Sequence, residues 1–282
     1  MRIWVTGASG MLAHAIILEI RELSSTREEI ELEATDVETD ITKLEDVRSF
    51  TGEFKPDVII NCAAYTDVDG CESNRETAFA VNGEGPKNLA MISAELKIPL
   101  IHFSTDYVFD GTAKKAYRED SPPAPLQVYG ESKLQGENFI RECTDKFYII
   151  RTSWLYGYNG KNFVDTIVSA AAQKDELKVV SDQIGSPTFT RDLAHIIRKF
   201  LFEKPEYGIY HYTNEGSCSW YEFAKEIVRI KELNCRVAPV STAEYKRPAA
   251  RPRFSVLSKE KIKNELRIDI PHWTKALETY LK

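Results

Sequence analysis

The chain lacks any cysteine pattern that would cross-link it. Its five cysteines (Cys62, Cys71, Cys143, Cys218, Cys235) are odd in number, scattered over 282 residues and without a Cys-x-x-Cys pair. That argues against a disulfide framework and for reduced thiols in the cytoplasm. Five histidines show no zinc-type spacing, so no metal site is expected. No run approaches the roughly 18 apolar residues of a membrane span, and the N-terminus shows no basic region, apolar core or cleavage site. Neither insertion in a membrane nor secretion is expected. Basic excess is missing too: 37 Lys and Arg stand against 43 Asp and Glu, a net charge of −6. No electrostatic grip on nucleic acid or an anionic membrane follows from that balance, although a small anion in a local pocket remains compatible. Internal repeats and low-complexity linkers are absent as well.

What is present is a strand-helix alternation. Arg2–Thr6 is a short apolar run that breaks at Gly7, and Leu12, Ile16, Ile20 and Leu23 then recur at helical spacing. Glu31–Thr35, Asp57–Asn61, Pro99–Phe103 and Lys146–Arg151 read as strands. Between them lie helical stretches at Lys43–Gly52, with Thr42 as its cap, and at Asn82–Leu96. Strands separated by helices predict an α/β fold, a Rossmann-type doubly wound parallel sheet with right-handed crossovers. After Trp154 the rhythm loosens into helices near 162–173, 190–202, 219–231 and 271–281, with proline-bearing loops between them. The expected organisation is a dinucleotide-binding domain over 1–154, rejoined by the chain near 177–203, and a smaller C-terminal lobe over 155–282. That lobe would sit on the carboxyl edge of the sheet, where open α/β folds bind ligands.

Three clusters carry chemistry. Gly7-Ala-Ser-Gly10-Met11-Leu12-Ala13 follows the first strand and opens the first helix. Glycines there allow a tight turn and close approach to a pyrophosphate, which a helix N-terminus favours. Asp36, 26 residues past Gly10, ends the second strand where an acid meets an adenosine ribose; it favours NAD, yet nothing decides between NADH and NADPH. Asn61-Cys-Ala63-Ala64-Tyr65 ends the third strand with small residues that suit either strand packing or a cofactor. Thr105, ending the fourth, precedes Tyr129 by 24 residues, and Lys133 follows four residues later. On a helix Tyr129 and Lys133 share a face about 6 Å apart. An ammonium beside the phenol would lower its pKa; bringing it from about 10 to near 7 takes roughly 4 kcal/mol.

These clusters, with Ser104–Gly111, Val128–Lys133, Arg151-Thr-Ser-Trp154, Asp182–Thr188, Arg251-Pro and Ser255-Val-Leu257, resemble the extended short-chain dehydrogenase/reductase superfamily, and within it the dTDP-4-dehydrorhamnose reductase family. The resemblance runs over the whole chain. It implies reduction of the C4 ketone of dTDP-4-dehydro-L-rhamnose by NADPH or NADH, in making a surface polysaccharide precursor. It further implies that Thr105 and Tyr129 bind the ketone oxygen, that Tyr129 donates a proton, and that Lys133 holds the nicotinamide ribose. Gly10, Met11 and Leu12 would line the pyrophosphate, Asp40 and Ile41 the adenine, and Ala63, Ala64 and Tyr65 the middle of the cofactor. Asp106 and Trp154 would touch the sugar, Trp154 being equally well an ordinary core aromatic. Arg191 and Arg251 fit either a diphosphate contact or a solvated surface charge. Some family members dimerise through magnesium held by interfacial carboxylates. Here Ala15 occupies the early helix and Arg191-Asp192 opens the later one, so a monomer or weak homodimer is expected. Two alternatives stay open: another sugar-nucleotide epimerase or dehydratase of the extended family, and a non-catalytic regulatory relative.

Overall fold

The computed structural model describes residues 1–24 and 30–282. The first half of the chain runs β1 (Arg2–Thr6), α1 (Met11–Ser24), β2 (Glu31–Thr35), α2 (Leu44–Phe54) and β3 (Val58–Asn61). Then come α3 (Val68–Ser73), α4 (Arg75–Phe79), α5 (Gly85–Leu96), β4 (Leu100–Thr105), α6 (Val128–Cys143) and β5 (Phe147–Thr152). The second half adds β6 (Leu155–Tyr156), α7 (Phe163–Ala171), β7 (Glu176–Val180), β8 (Ile184–Gly185), β9 (Thr188–Phe189), α8 (Thr190–Glu203) and β10 (Gly208–His211). It ends with β11 (Cys218–Ser219), α9 (Trp220–Ile230), β12 (Arg236–Val240), α10 (Glu260–Leu266) and α11 (Trp273–Leu281).

Six parallel strands form the main sheet in the order β2-β1-β3-β4-β5-β10. Side chains of a strand alternate between faces, and the core divides accordingly. Ile3, Val5, Ile60, Ile101 and Ile150 pack with Leu12, Ile16 and Ile20 of α1 and with Leu193, Ile197 and Phe200 of α8. Trp4, Ile59, Leu100 and Ile149 pack on the opposite face with Val47 of α2, Leu89 of α5 and Ile140 of α6. Both faces are covered, which is why β3 and β4 are buried throughout and read as continuous apolar runs. A separate core joins α7, β7, α9 and α11 through Val164, Leu177, Val179, Phe223, Ile227 and Leu277.

Three local expectations are corrected. The strand in the expected return, Glu176–Val180, pairs with β12 and not with the main sheet, because Leu177 and Val179 are drawn into the second core. The main sheet is completed by β10, with α8 laid on α1's side of it. Thr42 does not cap α2: its hydroxyl donates to Asp40 Oδ1 at 2.7 Å, and Lys43 stands at the cap position without a side-chain bond. Asn82 does not open a helix; it lies in a single wide π turn, Ala80–Glu84, that connects α4 to α5.

Two close backbone approaches hold the glycine turn against the carboxyl end of β3 and α6 against the π turn. Gly7 has φ +66°, and a Cβ on it would lie 2.6 Å from Ala63 N. A Cβ on Gly136 of α6 would collide with the Asn82 carbonyl oxygen. Gly7→Ala combines the cost of a left-handed backbone with a clash against main chain that cannot swing aside. It is expected to destabilise the protein by roughly 1–3 kcal/mol; an unchanged denaturant midpoint would contradict this packing.

Candidate active site

The order of the main sheet reverses between β1 and β3, and in open α/β sheets ligands bind outside the carboxyl ends at such a switch point. Here the Gly7 turn meets the end of β3 backbone to backbone. Gly10 N–H donates to the Gly7 carbonyl at 2.9 Å, and Asp36 Oδ2 accepts from Ser9 N–H at 3.0 Å, so the acid at the end of β2 is tied to the glycine turn. The opening N–H groups of α1, at Met11 and Leu12, have no partner within the helix, as at any helix start. A turn too tight for a side chain, open N–H groups and a nearby carboxylate suit a dinucleotide's pyrophosphate and ribose. Asp40 accepts from Thr42, and Ile41 is buried with its carbonyl taking the Asn88 amide at 2.9 Å. Ala63 N–H donates to Asn61 Oδ1 at 3.1 Å. Tyr65 is clamped by Asn82, which bonds its N–H at 2.9 Å and its carbonyl at 3.0 Å and also reaches Ser132 of α6 at 3.0 Å.

Thr105, Tyr129 and Lys133 converge where β4 ends against the first turns of α6. Thr105 is buried, and its hydroxyl interacts with the Tyr129 phenol while bonding Asp106 Oδ1 at 3.1 Å. Lys133 is 2% exposed, with Nζ 3.4 Å from His102 Nε2 in the middle of β4. The expected lowering of the Tyr129 pKa is not found. Burial pushes it up, and the Asp106 carboxylate pushes the same way; Thr105 only partly offsets them. Lys133 Nζ is turned toward His102 and lies near Glu137, and burial, not its charge, governs the phenol. Burial lowers the Lys133 pKa to about 8. Asp106 is buried as well, with Oδ2 making no hydrogen bond, and burial raises its carboxyl to about 7. A tyrosine that stays protonated at neutral pH is equipped to donate a proton rather than to accept one.

Beyond Tyr107 opens a cavity of about 650 Å³ between the strand-end loops and the second lobe. Tyr107 meets Tyr129 edge to face at 6.1 Å, joining this cavity to Tyr129 and its neighbour Thr105. Arg251 lines it, held by Asp69 of α3 at 2.6 Å, with Arg247 3.6 Å from the same carboxylate. Phe163, Trp220 and Tyr245 give it aromatic walls. Trp154 takes a left-handed backbone, φ +48°, and stacks on Trp220 at 3.5 Å between ring centres, so it is at once a packed aromatic and the backing of the cavity wall. Arg191 is exposed at the start of α8 and does not line the cavity. Sequence reasoning passed over His102, Asp69, Arg247 and Trp220, and read Asn82 only as a helix start. For His102 a signal existed, a polar residue inside a fully buried apolar strand.

A family model described as RmlD substrate binding domain matches residues 1–282. The chain is 44% identical over 282 residues to the spore coat polysaccharide biosynthesis protein SpsK of Bacillus subtilis (strain 168), covering all of this chain and 97% of that one. It is 41% identical to a dTDP-4-dehydrorhamnose reductase of Streptomyces griseus, covering 97% of this chain and 90% of that one. Among solved structures, the dTDP-4-dehydrorhamnose reductase of Bacillus anthracis str. Ames in complex with NADP superposes with a TM-score of 0.94 at 40% identity, covering 99% of this chain and 98% of that one. Matched from end to end, and carrying its tyrosine and lysine on the helix that the sequence resemblance required, the chain belongs to the RmlD substrate binding domain family, the dTDP-4-dehydrorhamnose reductases of the extended short-chain dehydrogenase/reductase superfamily.

Proposed function

We propose that this protein reduces the C4 ketone of dTDP-4-dehydro-L-rhamnose to give dTDP-L-rhamnose, a precursor of surface polysaccharide. The observation that carries this reading is Thr105 beside Tyr129, one helical turn from Lys133, with Tyr107 linking them to a cavity whose room and charge suit a nucleotide sugar. NADH or NADPH, when bound, supplies the hydride. Gly7, Gly10, Met11 and Leu12 would hold its pyrophosphate, Asp36 its adenosine ribose, Asp40 and Ile41 its adenine, and Ala63, Ala64 and Tyr65 its centre. Lys133 would hold the nicotinamide ribose.

Thr105 and Tyr129 direct their hydroxyls at the ketone oxygen and fix the carbonyl for attack at carbon. As negative charge grows on that oxygen, both hydroxyls stabilise it, and Tyr129 transfers its proton there. Burial, which disfavours a free phenolate, keeps this proton in place until the substrate oxygen becomes the stronger base. Asp106 and Trp154 border the sugar. Arg251 and Arg247 would meet the diphosphate, and the aromatic walls at Phe163, Trp220 and Tyr245 suit a pyrimidine base. The cytoplasm, and a monomeric or weakly dimeric state, complete the proposal. Five free cysteines and the lack, among the described residues, of any helix long and apolar enough to cross a membrane are compatible with it.

The decisive assay follows the loss of reduced-nicotinamide absorbance with dTDP-4-dehydro-L-rhamnose, generated in place, for NADH and NADPH separately. Tyr129→Phe should lower kcat by about 100- to 10,000-fold while cofactor affinity, read by fluorescence titration, stays within a factor of about three; near-normal turnover would refute the assignment. Arg251→Ala should raise KM for the sugar nucleotide by roughly 10- to 100-fold with a smaller change in kcat. An unchanged KM would place the diphosphate elsewhere.

A further inference from the structure

The hydrogen bonds behind Lys133 have a fixed polarity, and it runs the unexpected way. Asn61 Oδ1 accepts from the Ala63 backbone N–H at 3.1 Å, a donor that cannot be reversed, and from Thr6 Oγ1 at 2.7 Å. The amide therefore cannot be flipped, and its Nδ2, which carries only hydrogens, faces His102 Nδ1 at 2.9 Å. His102 Nδ1 must accept. The ring is fully buried and stays neutral, because burial and the neighbouring Lys133 both hold its pKa well below the usual value. A neutral imidazole accepting at Nδ1 carries its proton on Nε2. That N–H points at Lys133 Nζ, 3.4 Å away. An ammonium has no lone pair to receive it, whereas an amine does.

We infer that Asn61 and His102 form a pair of positioning residues that present an N–H, and not a lone pair, to Lys133, and so set the proton state of this lysine. The role is specific to these side chains: a histidine of the other tautomer would accept from the ammonium and stabilise the charge. Other groups face Lys133 as well. On its own helix are Tyr129 one turn before and Glu137 one turn after; from the end of β3 comes Cys62. Glu137 favours the ammonium, but Arg151 engages it at 2.9 and 2.6 Å and Ser104 at 2.5 Å, which spreads its charge. Burial outweighs Glu137 and Cys62 and leaves Lys133 titrating at about 8, where solvated lysines are fully charged; the His102 N–H opposes the ammonium from the β4 side. The inference rests on the proposed function only in assigning Lys133 to the cofactor's ribose. Activity that requires the ammonium then falls along an alkaline limb, and any change that raises the lysine's pKa moves that limb upward.

Two measurements test this. In protein labelled with ¹⁵N-histidine, long-range proton-nitrogen correlation reads each ring's tautomer, and His102→Phe identifies the signal by its loss. The expected state is Nε2–H with a bare Nδ1 throughout the neutral range; an Nδ1–H tautomer, or a doubly protonated ring, overturns the inference. Independently, the alkaline limb of kcat/KM should move up by about half a pH unit in His102→Phe, roughly a threefold change in the lysine's proton affinity. Asn61→Asp, which accepts from Nδ1 and turns a bare Nε2 toward Lys133, should move it further. The double variant Asn61→Asp/His102→Phe should lose that extra movement. Limbs coincident with the wild type overturn the inference. Where a variant is too slow to assay, the Lys133 Cε chemical shift reports the same titration. Absence of turnover in the wild-type protein would sink the proposed reaction but leave the tautomer result standing.

Discussion

The close seating of helix α6 on the sheet is the constraint on which the site depends. A side chain at Gly130 would strike the Tyr107 carbonyl just past β4, and one at Gly136 the Asn82 carbonyl of the π turn, so glycines let the helix come this near. Closeness places Tyr129 against the Thr105 hydroxyl and Lys133 against His102. The Asn82 side chain locks the arrangement further, because one amide joins the Tyr65 backbone to Ser132 of the same helix. The loop after β3 and helix α6 are therefore parts of one hydrogen-bonded unit, as a reaction governed by positioning requires.

That seating buries ionisable groups that water would otherwise stabilise. Tyr129, Lys133 and Glu137 stand one above another at four-residue spacing on α6, and each meets a different answer to its burial. Glu137 is paired in two places with Arg151, itself nearly inaccessible. Lys133 yields part of its proton affinity, and Tyr129 holds its proton more tightly than in water. Desolvation, and not the simple attraction between an ammonium and a phenol, dominates the tyrosine. The chemistry is unharmed, since a reductase of this type needs a donor that is protonated when the ketone arrives.

The second core borders the cavity. It extends to the cavity surface through Trp220 and Phe163, and Trp154 is pressed against Gly185 in a left-handed backbone to meet them. Asp69, from the sheet side, aims Arg251 and Arg247 across the cleft. A diphosphate entering here would meet guanidinium groups already oriented by a carboxylate, which lowers the ordering entropy of binding and also gives the anion a competitor.

How much of the protein was legible in its sequence depends on the range of the forces involved. Local sequence determined the five strands and their helices, the glycine turn, and the tyrosine-lysine helix, because period-two and period-3.6 patterning and turn chemistry act over a few residues. It also carried the pairing of Tyr129 with Lys133, since a four-residue helical spacing is itself a geometry. Only the tertiary structure decided that the strand at Glu176–Val180 pairs with β12 and that β10 completes the main sheet, because both segments are apolar and could serve in either core. The direction of the Tyr129 shift, the partnership of Asn61 and His102 with Lys133, and the hold of Asp69 on Arg251 were likewise decided in three dimensions. Burial and hydrogen-bond polarity depend on groups that stand 41, 31 and 182 residues apart along the chain, and no local pattern encodes which of them will meet.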